Sequence, residues 1–535
     1  MKIELPLAAR QSNRRGSSHG EETADDRQWQ MIVNVVKCGF CKMDLRKGAE
    51  NPRYAVNNTI VGFNTSQEKH RNTINEYHPE SSDRIKCIKK VFEDSNLLEK
   101  CKVLTDFPEL DTRKLHEIHT KEYIEKLQIV KHLEQTEINS FCSEFDSVFM
   151  TQETVEAAKE GVACVRELAY QIAIGEATNG FAVVRPPGHH ADEKEACGFC
   201  IFNNVAQAAS VALECGAKRV LIVDLDVHHG QGTQRIFYED KRVLYFSIHR
   251  YQHGTYWPHL PESDFDHIGK DEGLYYNANV PLNETGCGDS DYLAIFFNVL
   301  LPMAIQFNPH FVIVSAGFDS LQGDPIGQMN LTPDGYSHLI HHLKLLAQGR
   351  LLLVLEGGYN HEVSAVAAHR CLRVLLGKSP YPIDVSNPPK KSVINSCLSS
   401  ISVLQNIDLE TRIYINGGHE NHFDDDDDDH PENPERIPRI IRQLQKSELI
   451  HCCTEVNCDR VATDNEILLV HTQEMLENLK RTKFMSKEQL GEQMRDHDSI
   501  FFTNETFDVA TKTVGTVLQN PLTKFPYYNS LRLFD

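Results

Sequence analysis

Five short apolar runs constrain this chain more than any other feature, because each one stops abruptly at a polar cluster of unusual composition. They are FAVV before RPPGHH (Phe181 to His190), VLIV before DLDVHHGQGT (Val220 to Thr233), VLYFSI before HR (Val243 to Arg250), FVIV before SAGFD (Phe311 to Asp319) and LLLVL before EGGY (Leu351 to Tyr359). Unbroken runs of branched and aromatic residues predict strands covered on both faces, as in a parallel sheet. Helix-length segments such as Asn203 to Cys215 and Tyr292 to Gln306 lie between them, as crossovers between parallel strands require. The predicted fold class is therefore α/β, a mainly parallel central sheet flanked by helices.

In open sheets of this kind ligands bind beyond the carboxyl ends of the strands, where polar clusters distant in sequence can meet. Asp224, Asp226 and His228 sit at i, i+2 and i+4. If the extended conformation persists past the apolar run, all three side chains leave one face. Two carboxylates and an imidazole aimed at one point predict a metal site, the plainer alternative being a polar strand end with a capping aspartate. Convergence of the other runs favours the metal and places His189, His190, Asp226, His228, Asp319 and Tyr359 on one rim. A site with three protein ligands keeps a position for water and substrate, as catalytic zinc requires, whereas closed structural sites take four Cys or His.

Taken in order, RPPGHH, GFCIFNNVA, DLDVHHGQGT, SAGFDSLQGDP and LEGGYN resemble the motif series of the zinc-dependent histone deacetylases. The wording is closest to class IIb and its tandem-domain tubulin deacetylase type, over roughly Ile60 to Lys378. The resemblance implies a three-layer arginase/deacetylase-like fold and hydrolysis of N6-acetyl-lysine in tubulin, histone tails or other proteins. It implies one catalytic zinc on Asp226, His228 and Asp319, His190 as general base with His189 as its electrostatic partner, and Tyr359 as hydroxyl donor to the oxyanion. Asp224 would orient His189 and, with Ser247, belong to a structural potassium site, while Gln231 would stand beside His190. For the substrate it implies an aromatic pair, Phe199 and Trp257, around the acyl-lysine chain, with Gly198 beside them, Ser147 accepting the substrate backbone N–H, and Ile326 on the rim. Relatives that prefer acetylpolyamines carry an acid at that rim position, and the tubulin deacetylase type carries a lysine in its first domain; isoleucine implies a broad peptide deacetylase. Leu225 in place of the usual Trp, and NTINEYHPE without the Trp-Asp of close relatives, depart from the pattern. The alternatives are an acetylpolyamine amidohydrolase and a deacetylase-like scaffold that binds acetylated proteins without turnover.

Charge and cysteine content narrow the setting. A net charge of -21 argues against a nucleic-acid binder, which needs a basic face. Fifteen cysteines without an amino-terminal apolar stretch predict reduced thiols in a cytosolic or nuclear protein, and the resemblance favours the cytoplasm with access to the nucleus. No apolar run reaches membrane-spanning length, so no bilayer is expected.

The chain also repeats itself. HPESSDRIKCIKKVFEDSNLLEKC from His78 returns as HPENPERIPRIIRQLQKSELIHCC from His430, an offset of 352 residues, and DSVFMTQET from Asp146 returns as DSIFFTNET from Asp498 at the same offset. Adding 352 to His189 gives 541, beyond residue 535, so this sequence contains no second set of ligands or base. The expected organisation is a polar, largely disordered segment over 1–55 and a catalytic domain over 56–377. A linker with one helix over 378–410, an incomplete second copy over 411–520 whose exposed apolar faces mean either instability or a partner, and an unmatched tail over 521–535 complete it. Cys38 and Cys41 lack a second pair and predict no zinc finger, and the run Asp424 to Asp429 predicts a solvated loop.

Overall fold

A computed structural model describes residues 58–404, and beyond them 411–415, 438–439, 441–442, 453–457, 460–468, 471–495 and 502–519. The polar segment over 1–55, the Cys38 and Cys41 pair, the Asp424 to Asp429 run and the tail over 521–535 lie outside the described residues.

Eight parallel strands form one sheet. In chain order they are β1 (Thr59–Phe63), β2 (Lys102–Leu104), β3 (Asn179–Val183), β4 (Val220–Asp224), β5 (Val243–Arg250), β6 (Asn277–Leu282), β7 (Phe311–Ala316) and β8 (Leu351–Leu355), and their spatial order is β2-β1-β3-β8-β7-β4-β5-β6. All five apolar runs are strands. Successive residues of β1, β3 and β4 enter opposite cores: Val61, Phe181, Leu221 and Val223 pack on one side of the sheet, and Ile60, Ala182, Val220 and Ile222 on the other. Both sides are covered, by Thr154–Ala173 and Asn204–Glu214 on one and by Asp83–Asp94, Pro333–Leu343 and His361–Leu375 on the other. The result is the expected three-layer arrangement, and it explains why these strands read as continuous rather than alternating apolar runs.

Strand order fixes the site. The chain leaves β3 at one point of the sheet and re-enters at β4 three positions away, and β8 and β7 later fill the two places between them. The carboxyl ends of β3, β8, β7 and β4 are thus neighbours, carrying the RPPGHH, EGGY, SAGFD and DLDVHH clusters into one crevice at the point where the order reverses. Local signals set the helices that follow. Asn203 accepts from the Ala206 N–H to open the helix after GFCIF, and Asn360, the residue after Tyr359, accepts from Val363 N–H to open the helix after EGGY.

The segment Asp289–Phe307 differs from expectation. It is one helical path, with a wide turn over Phe296–Leu300 just before Pro302, which cannot donate to a regular helix. By length and composition alone this helix could cross a membrane, although the sequence reading found no such run. Tyr292, Ile295, Phe296 and Leu300 are fully buried in the core.

The helix Lys391–Leu404 lies against β6, where Ser396 and Ser400 hydroxyls donate to the carbonyls of Pro281 and Asn279. The repeat is visible in the elements beyond it. β9 (Thr411–Ile415) pairs in parallel with β10 (Cys453–Asn457) as β1 does with β2, and Gln135–Cys142 returns as Lys487–Met494, both at the offset of 352.

Candidate active site

The extended conformation expected through Asp224, Asp226 and His228 does not persist past Asp224. β4 ends at Asp224, and the backbone bends over Asp226 to His228, so the three side chains do not share one strand face. Asp224 points to the side, its Oδ2 3.0 Å from His189 Nδ1 and accepting from the Tyr245 hydroxyl at 3.0 Å. Asp226 and His228 are carried on to meet Asp319 from the end of β7. Leu225, between the two aspartates, is buried in the core away from them.

Ligand atoms of Asp226, His228 and Asp319 all lie within 4.8 Å of one another, and all three residues are buried. His228 Nδ1 is 3.0 Å from Asp226 Oδ1 and 3.2 Å from Asp319 Oδ2. Backbone amides hold the outer lone pairs: Val227 N–H donates to Asp319 Oδ1 at 2.8 Å and Gly357 N–H to Asp226 Oδ2 at 2.8 Å. Gly357 has to be glycine, since a Cβ there would overlap both carboxylates. Burial opposes charge on Asp226, but His189 and His228 hold its carboxyl below the usual range, whereas burial and the Asp226 charge push Asp319 up. Burial opposes charge on His228 too, yet both aspartates hold it up at about 9, a demand for positive charge at Nδ1 that a bound cation would meet in place of the proton. Two buried carboxylates this close demand a cation between them. One imidazole nitrogen and two carboxylates form a donor set that zinc accepts, so the residues fit the ion that the sequence implies.

The His189 and His190 rings lie 3.8 Å apart between centroids, tilted by 41°, and face different partners. Burial would lower His189, yet Asp224 and Asp226 raise it to about 10. His190 is driven well below 6.5 by burial and by the charges on His189 and His228. Its Nδ1 lies 2.8 Å from Gln231 Oε1, an acceptor, which assigns the ring proton to Nδ1 and leaves the Nε2 lone pair free. Glu356 accepts from the N–H groups of Gly188 (2.7 Å) and His189 (3.1 Å), tying the end of β3 to that of β8.

The mouth is aromatic. Trp257 meets His190 edge-on at 4.7 Å, and Phe199 meets Tyr359 edge-on at 6.2 Å. A Cβ on Gly198 would collide with both Trp257 and His190, and Gly198 sits at φ +53. Gly198 and Phe199 N–H groups donate to the Asp146 and Ser147 carbonyls at 3.0 and 2.9 Å, placing exposed Ser147 beside the aromatic wall. Desolvation, with Asp319 and Asp226 nearby, keeps the Tyr359 phenol well above its usual range and hence protonated. Ile326 is half-buried on the rim. Ser247 is the cross-strand partner of Asp224, and its hydroxyl lies 2.8 Å from His249 Nδ1.

Four residues of the site escaped the sequence reading. Asp324 accepts from Tyr359 N–H (2.7 Å) with one oxygen and from Ile326 and Gly327 N–H (2.9 and 3.0 Å) with the other, so it joins the rim turn to the Tyr359 loop. Asp146 accepts from Trp257 Nε1–H at 2.9 Å. Arg84 and Tyr256 contact the Tyr359 loop and His228 respectively. Asp324 lies within a quoted motif, GDP, but nothing in its spacing announces that it binds backbone amides.

With this geometry in place, comparisons with known proteins agree on the kind of domain. The family profile described as "Histone deacetylase domain" matches residues 78–375 and again 430–521. Histone deacetylase 6 of Caenorhabditis elegans is 52% identical over 86% of this chain and 55% of that protein. Polyamine deacetylase HDAC10 of Mus musculus is 43% identical over 54% of this chain and 43% of that protein. The solved HDA15 HD domain superimposes with a TM-score of 0.61 at 36% identity, covering 66% of this chain and 96% of that domain. The chain spans about half the length of the curated relatives it matches.

Proposed function

The chain belongs to the histone deacetylase family, and from that premise we propose that its first copy is a zinc-dependent hydrolase removing acetyl groups from N6-acetyl-lysine in proteins. The observation that carries the proposal is the meeting of Asp226, His228 and Asp319 beside His190, whose Nδ1 faces Gln231, and His189, whose Nδ1 faces Asp224. Zinc held by those three ligands would polarise the acyl carbonyl and acidify the attacking water. His190 takes a proton from that water at Nε2 and returns it to the lysine amine as the C–N bond breaks. Charged His189, fixed by Asp224, steadies the negative charge that develops. Tyr359 donates its hydroxyl to the oxyanion, a contact whose loss typically costs about 3 to 4 kcal/mol. Phe199 and Trp257 enclose the lysine methylenes, Gly198 leaves them room, and Ser147 accepts the substrate backbone N–H. Asp224 and Ser247 are assigned to a structural potassium site. The substrates proposed are acetylated proteins such as tubulin or histone tails, met in the cytoplasm with access to the nucleus, and the second copy is assigned to binding a partner.

A second reading is an acetylpolyamine hydrolase, favoured by the 43% identity to a polyamine deacetylase. Ile326 speaks against it, because it offers no carboxylate to a second ammonium.

The test is steady-state hydrolysis of an acetyl-lysine peptide and of acetylspermidine by the zinc-loaded chain, beside Tyr359→Phe and His190→Ala. Peptide turnover that falls by about 100-fold or more in both variants is expected. Zinc and peptide binding without turnover would replace the enzyme with a scaffold, and preference for acetylspermidine would favour the second reading.

A further inference from the structure

His228 presents one ring nitrogen to the carboxylates and the other to a tyrosine. Its Nε2 lies 3.1 Å from the Tyr256 hydroxyl, with the two rings inclined by only 15°. The same hydroxyl lies 3.3 Å from the Ile326 carbonyl. Arg250 stacks over the Tyr256 ring at 4.0 Å and donates to the Ile326 and Gly327 carbonyls at 3.3 and 3.2 Å.

Donor and acceptor counting fixes what this chain of contacts does. A neutral imidazole that offers the Nδ1 lone pair to a metal carries its proton on Nε2, and that N–H needs an acceptor. Tyr256 oxygen is within reach, and its own O–H then has the Ile326 carbonyl to donate to. The order His228 Nε2–H to Tyr256 O, Tyr256 O–H to Ile326 O leaves no donor unmatched. The reverse order, with Tyr256 donating to Nε2, would put the ring proton on Nδ1 and remove the ligand atom.

We propose that Tyr256 is a positioning residue for the metal ligand His228, selecting the tautomer that binds zinc and tying the ligand to the backbone of the rim turn that bears Ile326. The inference rests on the zinc reading given above. Partners of ligating histidines typically change metal affinity by about 10- to 100-fold when removed. Tyr256→Phe keeps the ring, its stacking on His228 and the Arg250 contact, and deletes only the oxygen.

The experiment follows zinc leaving the loaded full-length chain into excess chelator, for wild type and Tyr256→Phe, together with thermal melting of both apo proteins. Expected is zinc loss at least about tenfold faster in the variant, with apo melting unchanged. Equal rates would overturn the role of Tyr256, and so would faster loss accompanied by a matching fall in apo melting, which marks a merely structural contact. A wild type that holds no zinc would overturn the proposed function together with this inference, whereas a wild type and variant that hold it equally overturn the inference alone.

Discussion

Arg84 Nε donates to the Gly358 carbonyl at 2.7 Å, so a buried guanidinium from the helix Asp83–Asp94 grips the loop that carries Tyr359. The same fork reaches the Glu356 carbonyl and lies 3.3 Å from Glu80, whose carboxylate also pairs with buried Arg185. Gly358 sits at φ +116, and a side chain there would strike Phe318, so its backbone has few other arrangements available. Arg84→Met should leave two carbonyls without donors and Glu80 with one cation fewer. Breaking a buried pair of this kind costs about 3 to 5 kcal/mol. The expected outcome is that loss of stability in urea unfolding, with kcat for an acetyl-lysine peptide falling more than KM rises, because the loosened residue is the oxyanion donor rather than the aromatic wall. Unchanged kcat in folded variant would detach Arg84 from the Tyr359 loop.

Gln231 sets how basic His190 is. Its amide oxygen accepts from Nδ1–H but carries no charge to offset burial and the neighbouring His189, so His190 stays well below 6.5. Gln231→Glu places a carboxylate at the same distance, which favours the imidazolium and raises His190. The acidic limb of the kcat/KM profile should therefore move to higher pH in the variant. A profile that does not move would mean that His190 does not control that limb.

How far the sequence carried this description depends on where each residue finds its partners. β3, β4, β5, β7 and β8 announced themselves because both faces of each are covered. β6 did not: NANVPL interrupts its apolar residues with Asn277 and Asn279, whose amides donate to Gln234 Oε1, and with Pro281, tolerated because β6 is the edge strand. β2 is three residues long and largely exposed, too short for any period to register. At the site, ligand types clustered after strands were legible as motifs. Arg84, Asp324 and Tyr256 were not, because they act on carbonyls, amides and one ring nitrogen that only the folded crossovers bring within reach. The turn after Asp224 was misjudged for a related reason: Leu225 N–H still donates to Ser315, but beyond it the backbone bends to deliver Asp226 and His228 to Asp319.

Ile326 offers a test of substrate choice at a fixed backbone. Its N–H is held by Asp324 and its carbonyl by Arg250 and Tyr256, so a new side chain there changes the rim without moving the turn. Ile326→Glu adds a carboxylate for the second ammonium of acetylspermidine, partly offset by Arg250. A half-exposed ion pair is worth about 1 kcal/mol, so kcat/KM for acetylspermidine should rise about fivefold, with little change for a neutral acetyl-lysine peptide. No change in acetylspermidine turnover would show that the rim does not face the tail of the substrate.

His119 makes stability depend on pH in a window that can be named. The ring is buried, with Nδ1 2.8 Å from the Asp192 carbonyl and Nε2 accepting from Asn203 N–H at 3.0 Å. Both nitrogens are satisfied only in the neutral form, because a proton on Nε2 would confront the Asn203 N–H. Burial outweighs the pull of Asp192 and lowers the group from 6.5 to about 4. A histidine depressed in the folded state contributes stability that is fully present above 6.5 and is lost as pH falls from 6.5 towards 4. A shift of that size corresponds to about 3 kcal/mol. His119→Gln removes the titration while leaving the neighbouring carboxylates in place. The variant should be less stable than wild type at pH 7, and urea unfolding at pH 7, 6 and 5 should show the gap between them narrowing as pH falls. A gap that stays constant across that range would falsify the claim that folding holds His119 neutral.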